Sequence, residues 1–224
     1  LDPLHYIAER RFFAEIGGRR ISGQVDLIEI QDKVVWDFKF TSAWSAVDAA
    51  KEGGKSDWRI QLSLLAMLAR MNGVEVETGK ICAILRDWTE KGALRYRDWE
   101  DRPVAAIDMN IMGHDETVAW TEQRIKEIDA AIAGDPRPCT DEERWHKPGQ
   151  WAAYKGSNQK AAKVEDTEED LSAWIFKNRS KLGGDYRIEQ RPTEYRRCAK
   201  YCSAAAFCTQ HQSTKAEEST DEEE

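Results

Sequence analysis

The chain has 224 residues, 33% of them charged, and a mean hydropathy of −0.71. It contains no run of eighteen apolar residues and no basic-then-apolar leader, so the composition argues against a membrane-spanning helix and for a water-soluble, cytoplasmic protein. The net charge of −8 speaks at first against a nucleic-acid partner, yet Glu217, Glu218, Asp221, Glu222, Glu223 and Glu224 concentrate most of it in a terminal run; the remainder, about −2, leaves the partner open.

The length suits one domain with a substantial core, or one domain with a small appendage. The start at Leu1, with no methionine, leads us to expect that an N-terminal segment is missing. Pro3 to Glu9 reads as the end of a helix, and Arg10 to Ile16 as a strand. Gly17-Gly18 is a tight hairpin signal. Arg19 to Ile30 follows as a second strand, with Ile21, Val25 and Leu27 on one face and Ser22, Gln24 and Asp26 on the other. After the turn at Gln31-Asp32-Lys33, Val34 to Phe40 forms a third strand in which Val34, Trp36, Phe38 and Phe40 alternate with Val35, Asp37 and Lys39.

Residues 42 to 57 read as loop, with Gly53-Gly54 in the middle. Asp57 is expected to cap a helix from Trp58 to Asn72, closed by Gly73, with Leu64, Leu65, Leu68 and Met71 as its apolar stripe. Lys80 to Trp88 and Val104 to Met109 read as further strands. Asp115 to Ala133 reads as a helix with Ile125, Ile128 and Ile132 inward. Beyond a loop from Pro136 to Gln150, a short extended piece covers Trp151 to Tyr154, and a last helix covers Asp166 to Lys181. This order predicts a mixed α/β core with a central sheet.

The chemistry gathers on the second and third strands. Asp37 follows Asp26 by eleven positions, and Lys39 lies two residues beyond Asp37, so period-2 geometry turns Asp37 and Lys39 to one sheet face. If the strands pair, two carboxylates and an ammonium meet at one spot. Phosphodiester hydrolysis needs that inventory: hard oxygen ligands for Mg²⁺ or Mn²⁺, which acidifies a water, and a cation to steady the attacked phosphate. An Asp-x-Lys by itself is also common as a solvated pair. Here the strand around it is aromatic and β-branched, and a glutamine-bearing helix follows.

Gly23-x-x-Asp26, Asp37-x-Lys39 and Gln61 opening a helix together resemble the PD-(D/E)XK nucleases, in particular their RecB-type exonuclease branch. The chain is similar to a group of phage-encoded RecB-like nucleases in Ala8-Glu9-Arg10-Arg11, Ile21-Ser22-Gly23-Gln24, Trp36-Asp37-Phe38-Lys39, Thr41-Ser42-Ala43-Trp44 and Ile84-Leu85-Arg86-Asp87-Trp88. The resemblance runs from about residue 5 to 208. It implies a restriction-endonuclease-like α/β fold, a mixed central sheet flanked by helices. It also implies metal-dependent cleavage of DNA, most simply as an exonuclease alongside phage replication or recombination proteins.

Residue by residue, the resemblance implies that Asp26 and Asp37 ligate Mg²⁺ or Mn²⁺ and that Lys39 positions the attacking water and the phosphate. Glu9 matches the acidic residue placed before the sheet as a further ligand. His5 is the alternative there, since some RecB-type enzymes use a histidine. Gln61 matches the glutamine of a Gln-x-x-x-Tyr motif that contacts the site and the DNA, while Leu65 stands in place of its tyrosine. A second reading is a catalytically weak DNA-binding or anti-defence module that keeps the fold; the full set Asp26, Asp37 and Lys39 favours the enzyme.

Of five cysteines, Cys198, Cys202 and Cys208 cluster near the end of the chain, and without an export signal such a cluster reads as metal ligation rather than disulfides. Cys82, in an apolar strand, reads as core filler. RecB-type nucleases related to the CRISPR-adaptation enzymes join three such cysteines with a distant fourth to bind a [4Fe-4S] cluster. By that resemblance Cys139 is the available fourth ligand, and zinc would suit the same four thiols. Lys155-Gly156-Ser157-Asn158-Gln159-Lys160 with Lys163 is either a phosphate-gripping loop or a solvated turn. The expected organisation is a nuclease core over 1–135, a C-terminal part over 136–211 that completes the domain with its cysteine site, and a disordered acidic tail over 212–224.

Overall fold

The computed structural model describes residues 2, 4–51, 55–98, 100–182 and 185–214, which fall into two compact units, Leu1–Pro136 and Arg137–Glu224. The first unit opens with β1 (Tyr6–Ala8), β2 (Arg11–Ile16), β3 (Arg19–Gln24) and β4 (Leu27–Glu29). β2 and β3 form a hairpin in register from Arg11–Gln24 to Ile16–Arg19. Gly17 and Gly18 close it with φ of 55° and 74°, the left-handed pair that a two-residue turn requires and that side chains resist.

β1 pairs antiparallel with β4. The expected helix up to Glu9 is therefore a strand over Tyr6–Ala8, favoured by Tyr6 and Ile7 and fixed by a partner 19 to 23 residues away. The expected continuous strand Arg19 to Ile30 is broken at Val25 and Asp26. Two backbone bonds span the break: Glu9 N donates to Asp26 O (3.1 Å) and Val25 N to Arg10 O (3.0 Å). Glu9 takes a φ of 51° there. The ribbon thus bends between its two strand pairs, and the bend falls at Glu9 and Asp26.

The chain continues through β5 (Val34–Thr41), α1 (Ala43–Ala49), α2 (Ser56–Met71), β6 (Thr78–Leu85), α3 (Glu90–Arg95), β7 (Val104–Met109) and α4 (His114–Ile132). Five strands form a mixed sheet in the order β1-β4-β5-β6-β7, in which only β5 and β6 run parallel. That parallel step needs a helical crossover, and α1 with α2 provides it.

α1 occupies a stretch expected to be loop. Ser42 Oγ accepts from Ser45 N (3.1 Å) as its N-cap, and Ala43, Ala46 and Ala49 are buried. α2 packs on β2, β3, β5, β6 and β7. Its buried stripe is Leu62, Leu65, Ala66, Leu68 and Ala69, with Met67; Leu64 is only half-buried and Met71 is exposed. The first turn of α2 holds Asp57, but its N-cap is Lys55. On α4 only Ile125 of the three isoleucines is buried, and Ile128 and Ile132 face solvent. The core joins Phe12 and Ile16 of the hairpin, Val35, Ile81, Ala83, Ala105 and Ile107 of the sheet, and the α2 stripe. No described helix is long and apolar enough to cross a membrane.

The second unit contains α5 (Asp141–Arg144), β8 (His146–Lys147), β9 (Gln150–Lys155), β10 (Lys163–Glu165), α6 (Glu168–Leu182), β11 (Tyr186–Arg191), β12 (Glu194–Tyr195) and α7 (Arg196–Lys200). β9 is the middle of a three-stranded antiparallel sheet, β10-β9-β11, on which α6 packs. Ala152, Ala153, Tyr154 and Leu171 form its small core. Beyond the expected last helix lie α7 and a helical stretch over residues 209–214, which includes the first three residues of the expected tail; the rest of that tail lies outside the described residues. Arg144 is buried, stacked 3.3 Å from the Tyr195 ring centroid and donating to Thr214 Oγ1 (2.7 Å).

Gly23 sets the distance between the hairpin and α2. A Cβ on it would stand 2.8 Å from Leu65 Cδ2 and 2.9 Å from Leu68 Cδ1, closer than carbon atoms pack. Gly23→Val should therefore overpack this contact and destabilise the protein by about 1–3 kcal/mol. Urea unfolding reads this directly; an unchanged midpoint would show that α2 moves aside without cost.

Candidate active site

β5 carries Asp37 and Lys39 on the face that α2 covers, next to the buried Val35. Asp37 is 4% exposed. A carboxylate that deep needs partners, and it has two. Gln61 Nε2, from the second turn of α2, donates to Asp37 Oδ1 (2.6 Å), and Lys39 Nζ lies 2.8 Å from Asp37 Oδ2. Lys39 Nζ also donates to Gln61 Oε1 (2.7 Å), which closes a three-membered polar ring. The Lys39–Asp37 contact is a close ion pair, and Asp37 Oδ2 is buried with the Lys39 ammonium as its partner.

Asp26 stands beside this ring. Its Oδ2 accepts from Phe38 N (2.7 Å). β4 pairs with β5 only as far as Leu27 opposite Trp36, so the Asp26 side chain takes over where the ladder stops. Glu9 is tied to Asp26 through its backbone, and its Oε2 accepts from Gln24 Nε2 (2.6 Å). Gln24 Oε1 in turn accepts from Arg11 Nη2 (3.3 Å).

His5 lies at the other end of β1, where its carbonyl accepts from Ile30 N (2.9 Å). Its ring is 3.8 Å from Asp2. Because the segment is extended, four residues separate His5 from Glu9 by about 13 Å of strand rather than one helical turn. The geometry therefore brings Glu9, and not His5, to Asp26. Gln24 and the Phe38 amide were given no role in the sequence, although Gln24 lay on the Asp26 side of the expected strand and within the matched stretch Ile21-Ser22-Gly23-Gln24. Leu65, standing where the resemblance expects a tyrosine, is buried under Gly23.

Burial raises the Asp37 pKa above the ordinary carboxylate value; Lys39 opposes this, and the nearby Asp26 charge adds to it. The oxygen donors suit a hard divalent cation, which keeps most of its water and needs only one or two carboxylates. Asp26 with Asp37, close enough for each charge to act on the other, meets that demand.

Among the described residues no group of three or more His, Cys, Asp or Glu side chains is gathered to hold a metal ion. For the carboxylates this departs from the expected triad, since Glu9 is turned to Gln24 and is not gathered with Asp26 and Asp37; for the cysteines it departs from the expected four-thiolate site, because a [4Fe-4S] cluster or a structural zinc needs its thiols converged. Cys198 lies on α7, Cys202 and Cys208 follow it, and Cys139 is exposed ahead of α5. All are free. The backbone of Cys139 is engaged in reciprocal bonds with the Gln210 side chain (2.9 and 3.0 Å). Cys82 lies half-buried on β6, where burial pushes its thiol pKa up and disfavours the thiolate. The basic stretch after β9 is a turn, with Gly156 at a φ of 55°.

The raised pKa of Asp37 has a signed consequence for the metal-free protein. Between the ordinary carboxylate pKa and the raised one, the folded state keeps a proton that the unfolded chain has lost. In that window the stabilising contribution of Asp37 declines as pH rises. Unfolding in EDTA from about pH 4 to about pH 7 should show wild type losing ground against Asp37→Asn. The opposite trend would mean that the Lys39 ion pair outweighs burial.

The family model of the PD-(D/E)XK nuclease superfamily matches residues 3–209. None of the curated proteins matches the chain. Among solved structures, SSO0001 is similar with 18% identity and a TM-score of 0.36, over 62% of this chain and 55% of that one. A protein from Eubacterium rectale named as a candidate exonuclease is similar with 14% identity and a TM-score of 0.39, over 75% of this chain and 57% of that one. The chain thus spans a little over half the length of each. Since the superfamily match extends over nearly all of the described core, from ahead of β1 to beyond Cys208, the chain belongs to the PD-(D/E)XK nuclease superfamily.

Proposed function

We propose that this nuclease is a Mg²⁺- or Mn²⁺-dependent deoxyribonuclease of exonuclease type, from a RecB-like branch that serves phage DNA replication or recombination. The observation that carries the proposal is the ring of Asp37, Lys39 and Gln61 beside Asp26. A strand-borne carboxylate and ammonium locked together under a helix glutamine have no evident structural use, since an apolar trio would fill the same space at lower cost.

In this reading Asp26 and Asp37 would hold the divalent cation, while Glu9, held by Gln24, stands outside that pair. When bound, the ion acidifies a water and neutralises charge on the attacked phosphate. Lys39 supplies a fixed positive charge at the same spot; its Nζ is oriented by Gln61 before substrate arrives, so little reorganisation remains for the reaction. Gln61 is a positioning residue for both Asp37 and Lys39. The Phe38 amide holds one oxygen of Asp26 and leaves the other available. Support for the RecB-like and phage assignment is the set of motif stretches around Glu9, Gly23, Asp37, Trp44 and Arg86.

Lys39→Met, which keeps the aliphatic stem, should lower cleavage of end-labelled DNA by about 10²-fold or more while folding and DNA binding persist. Activity within tenfold of wild type, about 1.4 kcal/mol of barrier, would remove Lys39 from the mechanism. Asp26→Asn and Asp37→Asn should each abolish cleavage. Undiminished cleavage in EDTA would sink the metal assignment, and DNA binding without any cleavage would favour the catalytically weak module.

A further inference from the structure

The outer face of the β2–β3 hairpin is continuous with the candidate centre and has a different character from the rest of the chain. Along the hairpin the cross-strand pairs Arg11–Gln24, Phe13–Ser22 and Glu15–Arg20 alternate outward, and all six residues are exposed. The charges on this face are Arg11, Arg20 and Glu15, a net positive surface in a chain of net charge −8; Arg19 is paired with Asp129 and Arg10 lies over Phe12. The opposite face, with Phe12 and Ile16, is sealed into the core.

A chain of contacts leads outward from the carboxylates. Glu9 accepts from Gln24, Gln24 accepts from Arg11, and Arg11 Nη1 also donates to Ser22 Oγ (3.2 Å). Next along the face comes Phe13, 44% exposed, with Arg20 Cζ 4.4 Å from its ring centroid. Phe13 is four residues from Glu9, at most about 13 Å along the strand, and the bend at Glu9 shortens that path. An exposed aromatic ring backed by a guanidinium, flanked by an arginine and a hydroxyl, matches what a nucleic-acid strand asks for: cations and hydroxyls for phosphates, a flat ring for a base.

We propose that this hairpin face is the track that holds the substrate strand beside the cleavage centre, and that the strand it holds is unpaired. Arg11 and Arg20 take phosphates, and Phe13 stacks on a base. A ring on an open β-ribbon reaches the face of a base only when that base is out of a duplex, so the track selects single-stranded DNA or a frayed end. The inference rests on the nuclease reading for its substrate and adds the surface and the strand state.

The test is equilibrium binding of the full chain in EDTA, where cleavage is stopped, to a labelled single-stranded oligonucleotide and to a blunt duplex across a salt series. Arg11→Gln and Arg20→Gln should each weaken single-strand binding and reduce the slope of log affinity against log salt by about 0.7. Phe13→Ala should weaken single-strand binding about tenfold and leave the duplex unchanged. Arg102→Gln, at an exposed arginine away from the hairpin, should change neither. Thermal melts of each variant establish that it is folded. Wild-type affinity and slope in both hairpin arginine variants would overturn the track, as would an equal loss in Arg102→Gln. Equal effects of Phe13→Ala on duplex and single strand would overturn the unpaired substrate. Failure of the wild-type chain to cleave with Mg²⁺ or Mn²⁺ would instead count against the nuclease reading and leave these binding results intact.

Discussion

The burial of Asp37 is the constraint around which the first unit is arranged. A carboxylate at 4% exposure is tolerated only with charge and hydrogen-bond partners close by, and the fold supplies them from two directions. Lys39 comes from the same strand, two residues on, because a strand repeats its faces at that interval. Gln61 comes from α2, which must lie close over the sheet for its amide to reach both. The close seating of α2 against the hairpin, allowed by a missing side chain at Gly23, belongs to the same requirement. Packing and polar chemistry are therefore set by one helix position.

A second arrangement depends on the first. The β4 strand leaves the sheet just where β5 turns its charged residues toward α2. The Phe38 amide would be orphaned by that departure, and Asp26 satisfies it. The two acidic residues come together because one ends a ladder that the other continues past. Glu9 joins them through the bend in the partner strand, in a backbone conformation that a glutamate adopts only when its surroundings over-determine it.

Much of this was legible in the sequence, for identifiable reasons. Asp37 and Lys39 share a face by strand period alone, and the Gly17-Gly18 turn fixes the hairpin register. The helix of Gln61 was marked by its apolar spacing, although the buried side is carried by Leu62, Ala66 and Ala69 as well as Leu65 and Leu68. What stayed hidden depends on partners distant in sequence. Tyr6 to Ala8 form a strand only because β4 is there to receive them. α1 is a seven-residue helix whose buried side is three alanines, too faint an apolar signal to separate from loop. Ile128 and Ile132 read as core from their spacing, yet α4 buries Thr117, Thr121 and Ile125 and turns those two to solvent. Cysteine spacing constrains the chain path too weakly to say whether four thiols converge.

The bond from the Phe38 amide to Asp26 also gives the protein a built-in spectroscopic sensor. Most amides in a central strand answer to a neighbouring carbonyl, whose electron density changes little when the site is used. This one answers to a carboxylate that is itself proposed to bind a cation, so charge drawn off Asp26 weakens the acceptor seen by a single, assignable proton. Its nuclear magnetic resonance shift and solvent-exchange rate therefore register ion occupancy from inside the sheet, with no label and no turnover.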